Sequence, residues 1–369
     1  MKTQNLYNSL STKNLYVEKS PEENAMIPII KLHSQLVKCF DSMWFLFTFF
    51  SVLTLISLNA PAHHATSALY DFDDIGEIEG EVTFLFWRNP HIRFRIRSIE
   101  NGQEQIWEVE SGSVNTLQRS GIESSLIEVG DQIRVEGRMS RLGRKQMYAN
   151  ALTLPGGEKI PLSGRNRTLN TAAIQTEENG KQPRGLFRVW QLARYGDLPN
   201  FALTAAAATA RKAFDPLTDD PALRCIPPGL PSAMRNPYPL EFIDQGNEII
   251  LYLEEWDGLR TIHMNTQDSD KHPLRTSMGY SVGHWDGSTL VVKTNQINYP
   301  YADDLGTPQS TAIEIVEHFT LSENDTQLHW EAWATDRETY VGTAFWEMFW
   351  RYTPGEKRKL YNCALPEKS

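Results

Sequence analysis

The sequence predicts an all-β protein in two domains, an N-terminal OB-like small barrel and a C-terminal antiparallel β-barrel or sandwich, joined by a short helical linker. Three observations carry this. Apolar and polar residues alternate with period 2 in several runs between residues 76 and 154. Trp-Asp-Gly occurs twice, at 256–258 and 285–287, each time between apolar runs, and Asp-Gly there signals a hairpin because it supplies positive φ. Strands do not alternate with long helical patterns, which argues against an α/β fold.

The chain opens with a polar stretch and then "MWFLFTFFSVLTLISLNA", Met43 to Ala60, followed by "APA". This reads as the apolar region and A-x-A cleavage site of an export signal with an over-long leading region, over residues 1–62. Met26, with Lys31 and Lys38 behind it, is a better start for such a signal. The alternative is a permanent anchor, but an uncharged core of about 15 residues is short for a roughly 20-residue span. The expectation is a mature chain beginning at His63, periplasmic or secreted, with no stable membrane span.

From 63 to 162 the strands are "GEIEGEVTFLFW", "HIRFRIRSI" and "QIWEVE", then "GDQIRVEGRM" and "KQMYANALTL". Between the third and fourth lies a short helix, capped by Ser113 and ended by Gly121. Three strands, a helix and two strands is the order of an OB-fold. Residues 163–238 read as a linker holding one helix, "LTAAAATARKAF", capped by Thr204 and stopped at Asp215-Pro216, and a segment with five prolines. Residues 239–369 return to strands. Ile249, Ile250, Leu251 and Tyr252 are apolar on both faces, as in a closed or double-layered sheet.

A net charge of −10, with 12 basic against 15 acidic residues between His63 and Arg165, weighs against a nucleic-acid partner, whose affinity comes from clustered cations. Loss of residues 1–62 leaves two cysteines, Cys225 and Cys363. In an oxidising compartment they are expected to pair, with two buried thiols as the alternative.

"HHATSALYDFDD", "GEVTFLFWRNPHIRFRI" and "LQRSGI…GDQIRVEGR", with "GYSVGHWDGSTLVVKTNQIN", "VEHF" and the final "YNC" further on, resemble an uncharacterised group of secreted bacterial β-proteins. Its members share a His-His mature start, an N-P-H tripeptide and a C-terminal G-x-S-x-G-x-W domain. The resemblance implies a periplasmic or secreted β-protein and carries no activity with it. An Asp often stands in that group where this chain has Tyr280.

Gly279-Tyr280-Ser281-Val282-Gly283 fits a nucleophile elbow, but a strand rather than a helix follows Ser281, so the elbow's amide donors are missing. A terminal amine and ring at His63, with His64 or His91 as a third arm, would suit Cu(II). The alternative is a frayed terminus, with His91 fixing a turn. Glu317 lies on the strand face of Ile313, Ile315 and Phe319, so its carboxylate must be paired or protonated. Arg260, His263 and His284 are the candidate partners, either as a ligand or acid–base site or as a structural Arg–Glu pair. Trp285 is one of six tryptophans between 256 and 350; most are expected in the core, yet there is enough indole to stack a flat ligand in a barrel mouth. The leading expectation is a small-ligand-binding protein. The alternative is an enzyme on a sugar-like or aromatic substrate, with Glu317 and His263 or His284 as acid and base.

Overall fold

Strands β1 (Tyr70–Phe86), β2 (Arg93–Glu100) and β3 (Gln103–Glu110) open the N-terminal domain in the computed structural model, which describes residues 69–162, 185–197, 201–264 and 274–365. Helix α1 (Val114–Arg119), β4 (Gln132–Ser140), β5 (Gln146–Thr153) and β6 (Lys159–Pro161) complete it. The strands run β3-β2-β1-β4-β5-β6, and β3 also pairs in parallel with β5. Five strands therefore close on themselves in OB order. Val82, Ile92, Phe94, Ile96, Val109 and Val135 fill the inside. Ser113 caps α1 by accepting the Thr116 amide at 3.1 Å. β1 begins six residues before Gly76, where the alternation first becomes regular, and this extension brings Tyr70 onto the domain.

The C-terminal domain is a closed nine-stranded barrel. Its strands are β7 (Val189–Tyr195), β8 (Leu240–Asp244), β9 (Glu248–Leu253), β10 (Gly258–Met264), β11 (Tyr280–Asp286), β12 (Thr289–Asn295), β13 (Glu314–Leu321), β14 (Gln327–Thr335) and β15 (Thr343–Tyr352). The ring order is β10-β11-β12-β13-β14-β15-β7-β8-β9. Helix α2 (Ala205–Ala213) sits on the Thr204 cap as expected.

Two expectations need correction. The stretch 163–238 is not all linker, because β7 lies within it and pairs with both β15 and β8. "VWQLARY" buries only Trp190 fully, so its alternation is too weak to stand out among polar neighbours. The barrel is also not purely antiparallel: β10 and β11 pair in parallel, while the other eight pairings are antiparallel.

Both Trp-Asp-Gly tripeptides link antiparallel neighbours. Asp286 pairs with Thr289 across a two-residue turn, with Gly287 at φ 59°. At the other the positive angles fall on Trp256 (φ 62°) and Asp257 (φ 52°) rather than on Gly258, rare for a bulky residue. This turn sets the Trp256 indole against Tyr361, 5.4 Å between centroids. It also aims the Asp257 carboxylate at the tail, where it accepts the amides of Tyr361 (2.9 Å) and Asn362 (3.1 Å). Cys225 and Cys363 close the same cluster with a disulfide whose Cα atoms are 5.9 Å apart.

The tail also ties the two barrels together. Glu254, fully buried, accepts both terminal nitrogens of Arg119 from α1, the Asn115 amide (3.0 Å) and the Lys359 backbone amide (2.8 Å). A carboxylate so enclosed needs that many donors to remain charged. Among the described residues no helix is long and apolar enough to cross a membrane.

Candidate functional site

Five neighbouring barrel strands each send one polar side chain inward. Arg260 on β10 donates from Nε to Ser281 Oγ on β11 (2.9 Å) and from one terminal nitrogen to Thr294 Oγ1 on β12 (2.7 Å). Both terminal nitrogens also donate to Glu317 on β13, one of them at 3.0 Å. Trp330 on β14 donates its indole N–H to Glu317 Oε1 (2.9 Å). Arg260 is 1% exposed and Glu317 0%. Each polar side-chain nitrogen and oxygen of these five residues has a partner, and Phe242, Phe319 and Trp350 pack in the same core.

The expected five-residue site therefore comes apart. Arg260 and Glu317 meet, as an enclosed pair. His263 points outward from β10, its Nδ1 3.0 Å from Glu248 Oε1 and its ring stacked on Tyr280 at 4.7 Å. His284 and Trp285 are exposed on β11, Trp285 edge-on to Phe187. The acid–base pairing of Glu317 with His263 or His284 is thus overturned: alternation along β10 and β11 puts the histidines outside the wall that encloses the carboxylate. The indoles of Trp330, Trp346 and Trp350 fill the core instead of lining an open mouth.

Ser281 is 1% exposed and holds Arg260 and Thr294, so the elbow reading fails on burial as well as topology. Its two glycines have steric reasons. Gly279 sits at φ 67°, and a Cβ on Gly283 would come within 2.7 Å of Ile262.

Glu255, next to the Trp-Asp-Gly turn, carries no pattern that would single it out in sequence. Its carboxyl lines a small cavity with Asn236, Tyr238 and Trp350, and Oε2 has no hydrogen-bond partner. Burial, and after it the negative Asp304 and Asp220 nearby, raise its pKa from 4.5 to about 8. A carboxyl kept protonated on folding adds stability that is full below pH 4.5 and is lost as pH rises through about 8. Glu255→Gln should therefore flatten the fall in melting temperature across that window. Parallel melting curves for both proteins would refute the assignment.

The N-terminal domain holds a denser polar site than its sequence suggests. His91 Nδ1 lies 2.7 Å from the Ser111 carbonyl and 3.4 Å from Glu110 Oε1. A carbonyl can only accept, so Nδ1 carries the proton and Nε2 the lone pair of the neutral ring. Glu110, 2% exposed, pairs across the sheet with Arg93. Burial raises the Tyr70 phenol well above its usual pKa, with Glu110 beside it adding to the shift. Tyr148 packs on both Tyr70 (5.7 Å) and His91 (6.2 Å). The extension of β1 thus delivers the N-terminal end of the domain to His91. His63 and His64 lie outside the described residues. Among those described, no group of three or more His, Cys, Asp or Glu side chains is arranged to hold a metal.

Tyr70, Arg93 and Glu110 are the site residues that sequence reading missed. Glu110 shares its strand face with the half-buried Glu108, and it is covered by residues distant in sequence: His91, Arg93 and Tyr148 beside it and Tyr70 from the β1 extension.

Residues 52–148 match a family of unknown function, DUF6152, in agreement with the resemblance of this segment to an uncharacterised group. The match stops short of the nine-stranded barrel. No curated protein matches the chain.

Proposed function

We propose that this is an exported protein that binds a small ligand at the His91 end of its N-terminal barrel, and that the ligand is Cu(II). The observation that carries the reading is the fixed His91 ring, with Nδ1 on Ser111 and Glu110 behind it. Such a backing holds a metal-binding imidazole in one tautomer and one orientation. Tyr70 sits at the same place, seven residues after His63. A stretch of that length spans at most roughly 24 Å, ample for a terminal His63 to reach His91. Amine and ring of His63 with Nε2 of His91 would give the flat nitrogen set that Cu(II) favours, and His64 is the substitute third arm. The disulfide fits an oxidising compartment, the periplasm or the exterior.

Intact mass of the exported protein should give a first residue of His63. Copper titration should then show tight binding in the wild type. His63→Ala and His91→Ala should each weaken it by more than the roughly 10- to 100-fold typical of removing an outer-shell partner. A different first residue, or unchanged affinity in both variants, would sink the proposal.

A further inference from the structure

We infer that the C-terminal tail, held by the Cys225–Cys363 disulfide, positions His91 through Asn89, so that the thiol–disulfide state of this pair sets ligand affinity at the N-terminal site. The inference rests on the His91 reading and adds a control to it.

Asn89 stands two residues before His91 and is 4% exposed. Its hydrogen bonds run to residues outside its own loop. Its carbonyl accepts the Ala364 amide at 3.0 Å. Its side-chain amide donates to the Tyr361 carbonyl and, at 3.0 Å, to Asn115 Oδ1 on α1. Asn89 and Cys363 form an isolated parallel bridge. Two of these three hydrogen bonds therefore come from the tail, one from each side of Cys363.

The tail has no strand of its own here to hold it. It is kept in place by the Asp257 carboxylate, the Glu254 carboxylate and the covalent link to Cys225, 138 residues back. The link is the only covalent one among them. Without it, the Ala364 amide and the Tyr361 carbonyl hold Asn89 through hydrogen bonds alone.

The disulfide is also within reach of a reductant. Cys363 lines an open cleft of about 550 Å³, together with Arg88, Asn89, Asn115, Gln118 and Asn362. A small dithiol or a thioredoxin-like protein thiol entering there would reduce the bond. Its thiolate attacks one sulfur, forming a mixed disulfide and releasing the other cysteine; its second thiol then attacks the first, releasing the remaining cysteine as the reductant's own disulfide forms. Two electrons and two protons then leave Cys225 and Cys363 as thiols.

The test compares wild type, Cys225→Ser/Cys363→Ser and Ala364→Pro, which removes the one amide donated to the Asn89 carbonyl and leaves the disulfide intact. Two quantities are read on folded protein at fixed pH: copper affinity, and the ¹⁵N shifts of the His91 ring, which report its tautomer without any metal. The expectation is a loss of about 10- to 100-fold in copper affinity for the double serine variant, the range for an outer-shell change. The loss should be smaller in Ala364→Pro, with altered ring shifts in both. If the double variant does not fold, Ala364→Pro carries the test. Ring shifts that change while the wild type itself binds no copper would uphold the clamp and overturn the copper reading. Unchanged shifts and unchanged affinity in the folded variants would overturn the clamp.

Discussion

Glu317→Ala should lower stability by about 3–5 kcal/mol, because it strands the Arg260 guanidinium inside the barrel without its counter-charge. At roughly 2–4 °C per kcal/mol for a domain of this size, the melting temperature should drop by about 6–20 °C. The double replacement Arg260→Leu with Glu317→Leu should cost clearly less than the single change. Removing both charges removes the desolvation penalty with them, and Ser281 and Thr294 can still bond each other at 2.9 Å. What remains is the orphaned Trp330 N–H, about 1–3 kcal/mol. Denaturant unfolding of wild type, Arg260→Leu, Glu317→Leu and the double closes the cycle. A double variant as unstable as the sum of the singles would mean that the pair is not coupled.

The disulfide should have an effect of similar size by a different route. Cross-linking residues 138 apart removes chain entropy from the unfolded state worth about 5 kcal/mol in the loop-closure model. Cys225→Ser with Cys363→Ser, or wild type held reduced, should lose most of that. Two titratable thiols in the native protein, with no change in unfolding on adding reductant, would count against the bond.

How much of this could be read from the chain depended on whether the signal was local. Strand alternation, the Ser113 and Thr204 caps and the two Trp-Asp-Gly links are short-range patterns, and the structure keeps them all. Glu317 was also legible, since an acid among Ile313, Ile315 and Phe319 must find a partner, and Arg260 is that partner. The histidines failed for the same kind of reason. His263 is three residues from Arg260, and three is an odd step along a strand, so the two face opposite ways. Joint attention to period and register would have separated them. Glu110, Tyr70 and the Glu254–Arg119 latch were not legible, because each needs segments far apart in sequence. Glu254 lies 135 residues from Arg119, and nothing near either residue marks the other. β7 was missed because a strand with one buried tryptophan looks like any polar stretch until its neighbours are known.

The ring order of the large barrel also constrains how the molecule can be made. β7 is its first strand in the chain, and its neighbours are β8 and the final strand, β15. A chain threading through a membrane or leaving a ribosome from its N-terminus presents Trp190 and Leu192 about 160 residues before Trp350 and Tyr352 arrive to pair with them. Until then β7 and its growing sheet keep an open edge, the situation in which chains associate with one another. Contacts this distant in sequence form slowly. Maturation of the second domain is therefore paced by the arrival of its last strand, and any truncation before Tyr352 should yield aggregate rather than a smaller barrel.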